Sequence, residues 1–221
     1  MLTVAETPAA QLRHLEPSQD IEPPSTTTPR VLTILSYVLE KLVTRNDKLV
    51  LDTTRAGNSL SAFHGVRAPG ISLSNYMERI YKYTSCSPSC FVVGFVYIDR
   101  LVHKYPDSLV VSLNVHRLLV TSVMVASKIL DDVHYNNAFF ARVGGVSNAE
   151  LNKLELELLF LLDFGVSVSS RVFESYCQHL EKEMLCNGGA VERPPLMNTI
   201  DDVTEISVED TQISSPSHAF D

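Results

Sequence analysis

The sequence predicts an all-α helical bundle, and three observations carry that prediction. Apolar residues recur at helical spacing in successive stretches of about 10–20 residues. Proline, glycine and capping residues punctuate those stretches where helices start and stop. No sustained alternation of apolar and polar residues marks a strand, although VSVSS at residues 166–170 has the composition of one. A bundle of such helices joined by short links buries their apolar faces against one another.

The elements follow in order. Residues 1–28 hold Pro8, Pro17, Pro23 and Pro24 with no sustained apolar period, and are expected to form a flexible tail. A first helix opens with Thr28 as cap and Pro29 in the first turn, where a missing N–H leaves no bond unmade. Val31, Ile34, Leu35, Val38 and Leu42 give it an apolar stripe. A loop carrying Gly57, Gly65 and Pro69–Gly70 leads to a second helix from Ser72 to Thr84, with Leu73, Tyr76, Met77 and Ile80 inward. Ser87–Pro88 starts a third, which runs to Tyr105 and is stopped by Pro106.

The fourth helix is expected over Ser112–Asp131 and is the most apolar of the set, so it belongs at the centre. A short fifth, Asn137–Val143, ends at Gly144–Gly145, a natural left-handed stop. Ser147 followed by Glu150 forms a capping box that launches a sixth helix carrying Leu151, Leu154, Leu158 and Leu162. The last spans Ser170 to Met184, with Val172, Phe173, Tyr176 and Leu180 on its buried side. Beyond it, Glu192, Asp201, Asp202, Glu205, Glu209, Asp210 and Asp221 face only Arg193, the composition of an acidic tail. The expected organisation is therefore a tail over 1–28, a helical domain over 29–185 and a second, acidic and flexible tail over 186–221.

Composition narrows the function. The net charge of −8 argues against non-specific nucleic-acid binding, which needs a basic surface. No apolar run reaches the roughly 18–20 residues that span a bilayer, so no membrane role is expected. The N-terminus has neither a basic start nor an apolar centre, and four cysteines are too few for a disulfide scaffold. An intracellular protein, in the nucleus or cytoplasm or both, is the expectation. No glycine-rich phosphate loop, serine elbow or kinase lysine pattern is present, so the chain is expected not to be an enzyme and to take no small-molecule substrate. His103, His116, His134 and the Asp131–Asp132 pair lack metal-ligand spacing, and Cys86 and Cys90 lack a second pair. No metal and no cofactor are expected. A buried or capping role suits the two cysteines, and a solvated helix end suits the two aspartates.

Two charges stand out on helices otherwise made for a core. Lys128 is the only charged residue in LLVTSVMVASKIL, Leu118–Leu130. A buried ammonium without a partner costs several kcal/mol, so Lys128 must find an acceptor, reach solvent or bind something. Downstream, LELELLFLLDF sets Glu155 and Glu157 among leucines. Two positions apart on a helix they point to different sides, and Glu157 is the one expected on the solvated side.

Three segments in this order, YIDRLVHKYP at 97–106, LLVTSVMVASKILDD at 118–132 and LNKLELELLFLLDF at 151–164, resemble the cyclin box. Cyclins carry a Y-I-D-R-[FL] element on the second helix of the box and A-S-K on the third. Their fifth helix carries Leu-Glu followed nine residues later by Phe, here Leu154, Glu155 and Phe164. NVHRLLVTSVMVASK, ARVGGVS and ELNKLELELLF are most similar to plant P-type, or U-type, cyclins, relatives of the fungal cyclin of phosphate signalling. The resemblance covers about Val31 to Met184. It departs from the cell-cycle cyclins in lacking their M-R-A-I-L element, since residues 69–73 read PGISL, and in having no tryptophan. Substrate docking through that patch is not implied.

The resemblance implies a single cyclin-box bundle preceded by an N-terminal helix. It also implies a regulatory subunit that pairs with a cyclin-dependent protein kinase as a heterodimer, docks on the kinase C-helix and activates it. Lys128 and Glu155 match the positions where cyclins contact that kinase region, and Asp99 matches an aspartate that steadies the box. A cyclin-fold adaptor that recruits proteins without activating a kinase is the alternative. Ser215, before Pro216, is a candidate phosphorylation residue for a proline-directed kinase.

Overall fold

A computed structural model describes residues 28–52 and 59–186. Among them are seven α-helices: α1 Arg30–Asp52, α2 Leu73–Thr84, α3 Pro88–Lys104, α4 Val115–Leu130, α5 Asn137–Gly144, α6 Asn148–Leu161 and α7 Ser170–Cys186. A single 3₁₀ turn covers Ser61–Phe63, and no strand occurs among the described residues. Residues 166–169 of the VSVSS piece are a connection without regular structure, and its last residue, Ser170, opens α7. Residues 1–27 and 187–221 of the expected tails, the Gly57 part of the first loop and Ser215 lie outside the described residues, and Cys186, expected to begin the second tail, is the last residue of α7.

Local chemistry sets the helix ends. The side chains of Ser72, Asn136 and Ser147 accept hydrogen bonds from Asn75, Phe139 and Glu150 backbone N–H at the starts of α2, α5 and α6. Pro88 occupies the first turn of α3. Gly145, with φ of +74°, closes α5 in the left-handed conformation that lacks a Cβ clash.

Helix α4 begins three residues later than the sequence predicts. Asn114 is responsible: its Oδ1 accepts Val111 N–H at 2.8 Å and its Nδ2 donates to Leu109 C=O at 2.9 Å, which holds the chain in a turn. Ser112 N–H is meanwhile taken by Asp47 Oδ1 of α1 at 3.0 Å. The α1 stripe is also displaced. Leu32, Ile34, Leu35, Leu39 and Val43 are the buried positions, whereas Val31, Val38 and Leu42 pack at the edge of the core. At its far end the buried Asn46 donates to Val110 C=O at 2.9 Å and ties α1 to the turn before α4.

Helix α4 lies at the centre, with every residue from Leu118 to Ser127 buried. It is flanked by α3, α5, α6 and, less extensively, α2. Gly94 of α3 faces the backbone of α4. A Cβ there would lie 3.2 Å from Val123 N and 3.3 Å from Ser122 C, so only glycine lets the α3 backbone rest on that of α4. Helices α1 and α7 complete the bundle on the other side of α3.

Candidate functional site

Helix α4 is apolar all round while it is covered, and Lys128 stands where the cover ends. Ser127 is buried, whereas Ile129 and Leu130 are exposed. The lysine stem leaves the core there and its amine reaches across to α6. Lys128 Nζ donates to Glu155 Oε1 at 2.5 Å, with the side chains 28% and 18% exposed. The structure thus brings together two charges 27 positions apart, in a partly dry setting where a charge-assisted bond gains strength.

A third residue joins them. Asn137, at the first position of α5, donates from Nδ2 to Glu155 Oε2 at 2.6 Å and to Asn152 Oδ1 at 2.8 Å. The sequence offers no signal for it: Asn137 reads only as the start of a short helix, and nothing marks it as reaching a helix 18 positions away. Glu157, expected on a solvated face, is half-buried.

Apolar side chains stand in the open on the same two helices. Ile129 is 53% exposed, Leu156 56% and Phe160 63%. The Phe164 ring meets that of Phe160 edge-on, with centroids 5.3 Å apart. Asp163 and Phe164 hold it there with φ of +49° and +59°, a region that costs a non-glycine residue about 1 kcal/mol or more. Phe164 N–H to Leu159 C=O at 2.8 Å, Lys104 Nζ to Leu161 C=O at 3.0 Å and the Lys104–Asp163 ion pair secure that turn. An ion pair flanked by large exposed apolar groups has the composition of a protein-binding face.

Asp99 belongs to a different cluster. Its Oδ2 accepts the hydroxyl of Tyr176 at 2.6 Å and lies 3.4 Å from His103 Nδ1. Nearby, Arg100 donates to Gly165 and Ser167 C=O at 2.7 and 3.1 Å, and Tyr97 to Val166 C=O at 2.7 Å. Burial pushes the Tyr97 hydroxyl up to about 12. Burial and the Asp99 carboxylate both push Tyr176 up. This cluster fastens α3 to α7 and to the segment between α6 and α7.

Of the two aspartates after α4, Asp131 differs from expectation. Asp131 is half-buried, and its Oδ2 accepts Ser87 N–H at 3.1 Å and the Cys90 thiol at 3.2 Å, so it caps the start of α3. Asp132 and His134 are exposed. Cys86 and Cys90 are both buried, and Cys86 lies 2.8 Å from Thr84 Oγ1. Among the described residues no group of three histidine, cysteine or acidic side chains is placed to hold a metal ion. No helix among them is long and apolar enough to cross a membrane.

Comparison with known proteins points the same way as the motifs. The family described as Cyclin matches residues 27–166. Over 160 residues the chain is 76% identical to Cyclin-U1-1 of Arabidopsis thaliana, covering 72% of this chain and 76% of that protein. It is 47% identical to Cyclin-U4-1 of the same plant, over 75% of this chain and 81% of the other. Cyclin-P3-1 of Oryza sativa subsp. japonica is 50% identical, over 73% and 67%.

Proposed function

Because the chain belongs to the cyclin family, we propose that it is a regulatory subunit that binds a cyclin-dependent protein kinase and activates it by docking on the kinase C-helix. Cyclins are regulatory proteins, and this reading gives the chain no chemical step of its own. The observation that carries it is the Lys128–Glu155 pair at the end of α4, set beside the exposed Ile129, Leu156 and Phe160.

The pair has bonding capacity to spare. An ammonium has three hydrogens, and Glu155 takes one; a carboxylate has about four acceptor sites, and Lys128 and Asn137 fill two. The remaining donors and acceptors sit side by side, the complement of a peptide C=O and N–H. They suit a backbone segment of a partner, with the apolar residues alongside supplying area and Lys128 and Glu155 fixing register. A stable contact of this kind buries at least about 1,000 Å² in total.

Activation then follows from a shift in population. A kinase resting with its C-helix glutamate away from the ATP-binding lysine is favoured into the paired arrangement by a partner that prefers it. Inverting a 99:1 inactive population takes a preference of about 5.5 kcal/mol. One ion pair near the surface contributes about 1 kcal/mol at most, so the apolar face must supply the bulk.

The test is a pull-down of a purified cyclin-dependent kinase by the native chain and by folded Lys128→Ala and Glu155→Ala chains, with peptide phosphorylation measured in the same samples. The expected result is reduced capture by both variants and a gain in phosphorylation with the native chain. Undiminished capture by both variants defeats the assigned face. Capture without any gain in phosphorylation makes the protein a cyclin-fold adaptor instead.

A further inference from the structure

We infer that Asn137 is a positioning residue for the docking pair, a role that rests on the kinase-docking reading above. The Asn137 amide nitrogen has two hydrogens and two acceptors within reach, Glu155 Oε2 at 2.6 Å and Asn152 Oδ1 at 2.8 Å, so both hydrogens are used. A carboxylate can only accept, which fixes the amide with its nitrogen toward Glu155. Lys128 holds the other oxygen, Oε1, at 2.5 Å. Glu155 is therefore gripped from α4 on one side and from α5 on the other.

The two grips are not equivalent. Lys128 approaches on a long flexible stem and can follow the carboxylate through several rotamers. Asn137 is short and mounted on a helix that cannot shift easily: Phe140 and Ala141 are buried, and Asn136 caps the first turn through Phe139 N–H at 3.0 Å. Asn137 thus sets the direction of the carboxylate, and through it the direction of the acceptor sites left for a partner. It does so without neutralising Glu155, as a second lysine would. Helix α5 contributes to partner affinity through Glu155.

The experiment measures the dissociation constant for a purified cyclin-dependent kinase by calorimetry. The full chain is compared with Asn137→Ala, Asn137→Asp, Asn137→Ser, Glu155→Ala and the double variant Asn137→Ala/Glu155→Ala, with a melting curve for each. The expected result is about tenfold weaker binding for Asn137→Ala, the loss expected when a misdirected Glu155 carboxylate forfeits one bond to the partner. Asn137→Asp, nearly the same shape but set against the Glu155 carboxylate, should bind more weakly still. Asn137→Ser, which keeps a short donor, should fall between native and Asn137→Ala, and it carries the comparison if Asn137→Ala does not fold. In the Glu155→Ala background the alanine at 137 should change nothing further. Equal losses in both backgrounds, or no loss when Glu155 is present, overturn the inference while leaving the docking reading intact. A Glu155→Ala chain that binds like the native one overturns both.

Discussion

The Tyr176 hydroxyl donates to Asp99 Oδ2 at 2.6 Å, joining the middle of α7 to α3 across 77 positions of sequence. The Asp99 side chain is 23% exposed, and its other neighbour at this oxygen, His103 Nδ1, is 3.4 Å away. The phenol is thus the shorter and better-formed partner of a carboxylate largely withdrawn from water.

Removing that hydroxyl should cost stability. Tyr176→Phe keeps the ring against Phe95, where centroids lie 6.2 Å apart, and removes only the donor. A hydrogen bond to a charged group contributes about 1.5–3 kcal/mol, so urea unfolding should show a loss in that range. A midpoint unchanged from the native chain would mean that water replaces the phenol at no cost.

The contact between α3 and α4 makes a second prediction. A Cβ at position 94 already lies 3.2 Å from Val123 N and 3.3 Å from Ser122 C, a few tenths of an ångström inside ordinary contact, and Gly94→Val adds two methyl groups beyond it. Backbone cannot swing aside as a side-chain tip can, so the helices must separate. Overpacking of this kind costs about 1–3 kcal/mol. Thermal unfolding measures it, and a melting temperature equal to or above that of the native chain would contradict the close approach.

His116 gives a pH dependence. Its Nε2 lies 3.0 Å from Ile71 C=O and therefore carries the hydrogen, and the buried Nδ1 has no partner. Burial lowers its proton affinity below the ordinary value of 6.5, and the Ile71 carbonyl only partly opposes that. The unfolded chain then binds the proton more readily than the folded one. This contribution to stability is fully present above pH 6.5 and is lost as pH falls below it toward the folded-state value. Urea midpoints between pH 7.5 and 5 should fall less steeply for His116→Gln than for the native chain. Parallel slopes would show that His116 is not the group responsible.

Most of the fold was legible because its signals are local. The Ser147–Glu150 box, Gly145, Pro88 and the leucines of α6 each act within one or two turns, where spacing along the chain reports spacing in space. Asn114 was not legible as the start of α4, because its side chain competes for the turn that the apolar period alone would extend. The α1 stripe lies one position from its sequence expectation because Val31 to Val43 is apolar over a broad arc, and only tertiary packing selects the centre of that arc.

The candidate site is legible only in part. Lys128 and Glu155 betray themselves as charges in apolar company. Asn137 and Tyr176 do not, since a neutral polar residue on a helix is unremarkable until the acceptor it reaches is known. Asp131 misled for the opposite reason: two adjacent acids after a helix look solvated, yet one turns inward to the first turn of α3.

Docking as proposed requires Lys128 and Glu155 to present donor and acceptor in a fixed order to the kinase. Calorimetric titration of a cyclin-dependent kinase into a Lys128→Glu/Glu155→Lys chain tests this most directly, because the exchange keeps an ion pair within the bundle and reverses what faces outward. The predicted result is a folded protein whose affinity is at least about 100-fold below that of the native chain. Native affinity in the exchanged protein would contradict the account.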